Sequence, residues 1–172
     1  MRNIPAANQP LNRAAPAAFR RKRKLPFARP DIGAEEIAAV NQVLRSGWLT
    51  SGPESVEFER EFAAAVGARE AVAVSSCTAA LHLALAAWQL GPDDAVIVPA
   101  LTFTASAEII EYSGSLPIIL DVNRDTYLLD AAILNDFIAK QCRVKDGRLI
   151  HKASRKTIRA LLPAHLGGRP CD

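Results

Sequence analysis

The chain has 172 residues, 49% hydrophobic and 23% charged, with a formal net charge of +3 at pH 7. That is enough apolar sequence to bury a core, an ordinary globular composition rather than a disordered one, and no apolar run reaches the roughly 20 residues that cross a bilayer. The positive charge belongs to the tail: residues 1–24 carry seven Lys/Arg and no acid, residues 25–139 five basic against sixteen acidic side chains, and residues 140–172 nine against two.

Residues 1–24, ending Arg20-Arg21-Lys22-Arg23-Lys24, show no apolar periodicity and read as a disordered basic extension. A nucleic-acid or targeting patch and a solvated leader are both compatible with such a run, but no apolar stretch follows that would make a secretory signal. Asp31 is a candidate cap for a helix whose apolar face is Ile37, Val40, Val43 and Leu44, stopped at Gly47. A second amphipathic helix spans 54–66, with Phe58 and Phe62 suited to burial, Glu57, Glu59 and Glu61 suited to solvent, and a stop at Gly67.

From there the pattern alternates. Strand 71–74 precedes helix 78–90, strand 95–98 precedes helix 103–113, and Gly114 separates the latter from strand 117–121. Asp130 is placed to cap a helix over 131–139, and 158–162 is a last strand. Residues 140–156 are basic and hold Asp146-Gly147, a turn signal, so they form a surface hairpin or loop. Short apolar strands interleaved with amphipathic helices predict an α/β fold, a mostly parallel sheet with helices on both faces. Ending at 172 just after a strand, such a sheet leaves an edge bare, which reads as an incomplete chain or one that pairs with something.

Two turns carry the chemistry. Ser75-Ser76-Cys77-Thr78-Ala79 joins an apolar strand directly to a helix, leaving backbone N–H groups and the positive end of the helix dipole free for an anion such as phosphate. Pro99-Ala100-Leu101-Thr102-Phe103 repeats the design with an aromatic ring at the bend. In parallel sheets ligands sit outside the carboxyl ends of strands, where both turns fall. Taken alone, Ser76 and Thr78 are equally consistent with simple N-capping, and Phe103 with a core aromatic. Cys77, Cys142 and Cys171 are far apart and form no C-x-x-C pair, the pattern of reduced thiols in a cytoplasmic protein. His82, His151 and His165 are equally scattered, and no metal is expected.

Residues 25–172 resemble the start of the DegT/DnrJ/EryC1/StrS aminotransferases. Five ordered segments carry the likeness: Pro26-Phe27-Ala28-Arg29-Pro30, Ser46-Gly47-Trp48-Leu49-Thr50-Ser51-Gly52-Pro53, the stretch from Ala73 through Cys77-Thr78-Ala79 to Leu83, the stretch from Val96 to Phe103, and the stretch from Pro163 to Asp172. The resemblance implies residues 25–172 to be the N-terminal portion of a fold-type I large domain that binds pyridoxal 5'-phosphate. It implies that the backbone at Cys77, with Thr78 and Ala79, holds the cofactor phosphate, and that Phe103 stacks on its ring. The family usually has glycine where Cys77 stands. Trp48, Leu49 and Thr50 lie where the family shapes its substrate pocket, and the stretch 140–156 is longer than usual there.

The implied activity is transfer of an amino group from an amino acid, glutamate by expectation, to a nucleotide-linked keto-sugar, in a homodimer with no membrane partner. A dehydratase of the same family, with histidine in place of the Schiff-base lysine, is the alternative within it. Neither the lysine nor the acid beneath the pyridine nitrogen matches any residue here: Lys140, Lys145, Lys152, Lys156 and Asp172 all fall outside those motifs. No catalytic residue is therefore assigned, and the 172-residue chain is expected to be inert alone. A non-catalytic nucleic-acid-binding or regulatory protein is the alternative from another class. The acidic middle of the chain argues against it.

Overall fold

A strand covered on both faces reads as an unbroken apolar run, and Ala95-Val96-Ile97-Val98 is such a run. In the computed structural model, which describes Pro26 and residues 28–171, it forms the centre of a five-stranded sheet. The basic run of the tail, Phe27 and Asp172 lie outside the described residues. The chain divides into two compact units between Glu54 and Ser55.

In the first unit, helix α1 (Ala34–Ser46) ends at Gly47, whose φ of 77° is the left-handed conformation that glycine adopts without strain. Its N-cap is Gly33 rather than Asp31: the Glu36 carboxylate reaches back to accept the Gly33 N–H at 2.7 Å. A side chain three residues into the helix does the work expected of one before it.

Helix α2 (Pro53–Val66) starts at the boundary and leads the second unit, followed by α3 (Cys77–Ala87), β1 (Asp94–Pro99), α4 (Ala105–Tyr112), β2 (Leu116–Leu120), α5 (Ala131–Gln141), β3 (Cys142–Lys145), β4 (Arg148–His151) and β5 (Thr157–Leu161). The sheet order is β2-β1-β5-β4-β3. Both neighbours of β1 run parallel to it, whereas β4 is antiparallel to β5 and to β3. Side chains of β1 alternate between two cores. Val96 and Val98 pack with Leu85, Leu90, Ile109 and Ile110 beneath α3 and α4; Ala95 and Ile97 pack with Ile118, Leu120 and Leu129 beneath α5. Helices thus cover both faces, as the α/β reading predicts. No helix among the described residues is long and apolar enough to cross a membrane.

Two expectations are corrected. Residues 71–74 form no strand and join no sheet. Both edges of β1 are already taken, by β2 and β5. The Ala73 N–H donates instead to Glu59 Oε1, at 2.8 Å, so the half-exposed Glu59 reaches this segment while still meeting solvent. The last strand, β5, gains a second neighbour only at its start: residues 142–151 form the hairpin that the Asp146-Gly147 signal allowed, and β4 meets β5 at the single pair Ile150–Thr157. Residues 158–161 keep an open edge on that side, as expected, and β2 and β3 end the sheet.

Asp130 caps α5 as expected. Its Oδ1 accepts the Ile133 N–H at 2.9 Å and its Oδ2 the Asn123 side-chain amide at 2.8 Å. The Ile133 amide first, then Asn123, hold the Asp130 carboxyl below its ordinary value. A lowered folded-state pKa gives stabilisation that is complete above the ordinary aspartate value of about 3.9 and fades as pH falls through the folded one. Asp130→Ala therefore lowers the urea midpoint at pH 7, and the gap from wild type narrows as pH falls below about 3.9. A gap unchanged at pH 3 would assign the effect to packing instead.

Candidate cofactor site

The amides at the start of α3 are what the sequence offers an anion, and the structure shows how they are shared out. Ser76 is extended (φ −164°, ψ 160°) and its hydroxyl accepts the Ala79 N–H at 3.1 Å, while Ala80 N–H bonds to the Ser76 carbonyl. Ser76 is thus a true N-cap. Among the described residues the Cys77 and Thr78 amides meet no acceptor, and they open at the positive end of the helix dipole. The first turn of α3 carries no acidic side chain to neutralise it. Cys77 is exposed; Thr78 and Ala79 are half-buried. Of the three cradle residues, Cys77 and Thr78 have donors to give, whereas the Ala79 amide is held by the cap.

The second bend follows β1. Pro99 is buried, Ala100 N–H donates to the Leu120 carbonyl at 2.7 Å, and Thr102 and Ser106 share a hydroxyl bond of 2.9 Å. Between them Phe103 projects with 80% of its surface exposed. It is not a core aromatic. An outward ring on a bend fixed from both sides is a surface on which a flat heterocycle can lie.

The relation of the two bends follows from how their helices pack. α3 lies against α4. Their carboxyl ends are tied where the buried Ser115 hydroxyl donates to the Gly91 carbonyl at 3.0 Å. Two packed helices with joined C-terminal ends run the same way, so the Cys77 and Phe103 bends open on one rim. α2 contributes what the sequence did not signal: Phe58, Phe62 and Val66 face residues 71–74 across an open apolar groove of about 660 Å³ that ends at Ser76 and Cys77. Trp48, Leu49 and Thr50 belong to the first unit, where all three are exposed.

Comparison with known proteins gives this arrangement a context. The sequence profile of the DegT/DnrJ/EryC1/StrS aminotransferase family matches residues 30–172. The spore coat polysaccharide biosynthesis protein SpsC of Bacillus subtilis is 41% identical over 153 residues, covering 89% of this chain and 35% of that protein. Spr1654 from Streptococcus pneumoniae, described as a sugar aminotransferase, superposes with a TM-score of 0.71 in its PLP form and 0.72 in its PMP form. Both forms are 35% identical, covering 87% of this chain and 34% of that one. DesV from S. venezuelae gives a TM-score of 0.66 at 37% identity, covering 81% of this chain and 33% of that one. The chain spans about a third of the length of the relatives it matches. These neighbours are fold-type I aminotransferases dependent on pyridoxal phosphate, and the α/β sheet with its helices belongs to that fold. With the profile matching residues 30–172, the chain belongs to the DegT/DnrJ/EryC1/StrS aminotransferase family.

Proposed function

We propose that residues 25–172 are the N-terminal portion of the large domain of a sugar aminotransferase, and that its cofactor is pyridoxal 5'-phosphate. The observation that supports this most is the pair of bends on one rim, one with two unclaimed amides and one with an outward aromatic ring. The residues fit the group. An unopposed helix N-terminus of small residues suits a phosphate dianion, and an exposed Phe103 suits a pyridine ring.

When bound, the cofactor supplies the electron sink on which amino-group transfer depends. The chain's own part is to hold it. Cys77 and Thr78 N–H groups, with the Thr78 hydroxyl, bind the phosphate; the Ala79 N–H joins them where the Ser76 hydroxyl yields its place. Phe103 presses the ring flat and keeps water from that face. Family membership supports amino-group transfer in sugar metabolism; for the complete protein the proposed donor is glutamate, the proposed acceptor a nucleotide-linked keto-sugar, and the proposed form a cytoplasmic homodimer.

Pyridoxamine 5'-phosphate tests the cradle directly, because its amine forms no Schiff base with surface lysines. Titrated into the full chain by calorimetry, it should bind at least about tenfold more tightly than pyridoxamine, since charge-assisted hydrogen bonds to the phosphate are lost with it. Equal affinities would remove the cradle.

A further inference from the structure

Residues 71–75 lead the chain into the cradle, and little in the structure holds them. They pair with no strand. Among the described residues the Ala73 N–H is the one main-chain group from Ala71 to Ser75 with a hydrogen-bond partner, and that partner is Glu59. Packing adds little: Val72 is 77% exposed, and the open groove lies between this segment and Phe58 and Phe62 of α2.

Glu59 has no competing claim on its carboxylate. Its neighbour Arg60 is engaged by both carboxylate oxygens of Glu57, and among the described residues Glu59 makes no ion pair. An amide donated to a carboxylate is a charge-assisted bond, about twice as strong as one between neutral partners.

The bond is also close to the amides it affects. Ala73 stands three residues before the Ser76 cap, at most about 11 Å of chain. On the far side α3 is held by Leu81 and Leu85, which pack in the core with Val96, Val98, Ile109 and Ile110. The cradle residues 76–79 therefore lie between two held points, Ala73 and Leu81. Helix ends fray, and releasing the first point leaves the cradle attached at its inner end alone.

Charge favours this indirect role over a direct one. Glu59 lines the same groove as Ser76 and Cys77, and a carboxylate there repels a phosphate dianion. What Glu59 gives the cradle comes through the Ala73 backbone and against its own charge.

We infer that Glu59 is a positioning residue for the cofactor phosphate: by holding Ala73 it keeps the Cys77 and Thr78 amides aimed at a common acceptor. The inference rests on the proposed cofactor.

Calorimetry of pyridoxamine 5'-phosphate and of pyridoxamine on the full chain tests it with Glu59→Ala and Glu59→Gln. Alanine removes both the acceptor and the charge; glutamine removes the charge and keeps an oxygen for Ala73. Charge and positioning thus predict opposite signs. If charge alone mattered, both variants would bind pyridoxamine 5'-phosphate more tightly than wild type. Positioning predicts that Glu59→Ala binds it roughly tenfold more weakly, because the aimed state is then only a fraction of the population, while Glu59→Gln stays within about threefold of wild type. Pyridoxamine, which has no phosphate, should bind all three proteins alike. Asp130→Ala is the control for stability: it loses the cap of α5 and should leave the affinity for pyridoxamine 5'-phosphate unchanged.

Glu59→Ala binding as tightly as wild type or tighter, Glu59→Gln falling as far as alanine, or Asp130→Ala falling equally would each overturn the inference. A wild type with no preference for pyridoxamine 5'-phosphate over pyridoxamine removes the cofactor reading and this inference with it. A wild type that has the preference, matched by an equal one in Glu59→Ala, removes the inference alone.

Discussion

A Cys77→Pro variant should keep its fold and lose most of its hold on pyridoxamine 5'-phosphate. Cys77 is the first residue of α3, directly after the Ser76 cap. At that position an amide has no partner within its own helix, so proline removes nothing the helix uses and its ring supplies a helical φ. Ser76 is already in the extended conformation that precedes proline comfortably (φ −164°, ψ 160°). What disappears is one donor to a charged acceptor, worth about 2 kcal/mol, or roughly thirtyfold in dissociation constant. Cys77→Ala keeps the amide and should bind as wild type does. Calorimetry gives the affinities, and circular dichroism with thermal melting verifies that α3 is intact. Proline and alanine variants of equal affinity would show that this amide touches no phosphate.

The largest stability loss should come from Ile109→Ala. Ile109 is fully buried and packs beneath α4 with Leu85, Val96, Val98 and Ile110. Truncation removes the transfer energy of three carbons and leaves a cavity that two neighbouring β-branched residues of β1 cannot close. The expected cost is about 3 kcal/mol, against about 1 kcal/mol for Ile109→Val. Leu83→Ala, on the exposed side of α3 at 56% accessibility, should stay within about 0.5 kcal/mol. Urea unfolding of the three variants at a common slope measures all of these. An Ile109→Ala cost under about 1 kcal/mol would mean that the α4 core is not tightly packed.

What could be read from the sequence was what local chemistry decides. The continuous apolar run of β1, the caps at Ser76 and Asp130, and the stops at Gly47, Gly67 and Gly114 each depend on a few adjacent residues. All appear where expected, the three glycines with positive φ. The Asp146-Gly147 turn is of the same kind. Pairing is not. Residues 71–74 have the composition of a strand, but whether they join a sheet depends on which edges remain, and β2 and β5 occupy both sides of β1. The hairpin lay in plain view as a turn signal, yet nothing local says that it would meet the start of β5. At the cradle, the residue types of Cys77, Thr78 and Phe103 pointed to a rim, and helix packing puts the two bends on one. The division of amides was hidden, because Ser76 claiming the Ala79 N–H is a matter of rotamer. So was Glu59, whose reach to Ala73 crosses fourteen positions.

That reach sets the character of the cradle's approach. One flank, β1, is locked between two strands, and its amides exchange with solvent only when the whole unit opens. The other flank, 71–74, has no ladder and hangs on a single carboxylate. A ligand settling at Cys77 therefore meets one wall already set and one that it must tighten itself. Part of its binding energy goes into that tightening, and deuterium uptake over those four residues becomes a gauge of occupancy.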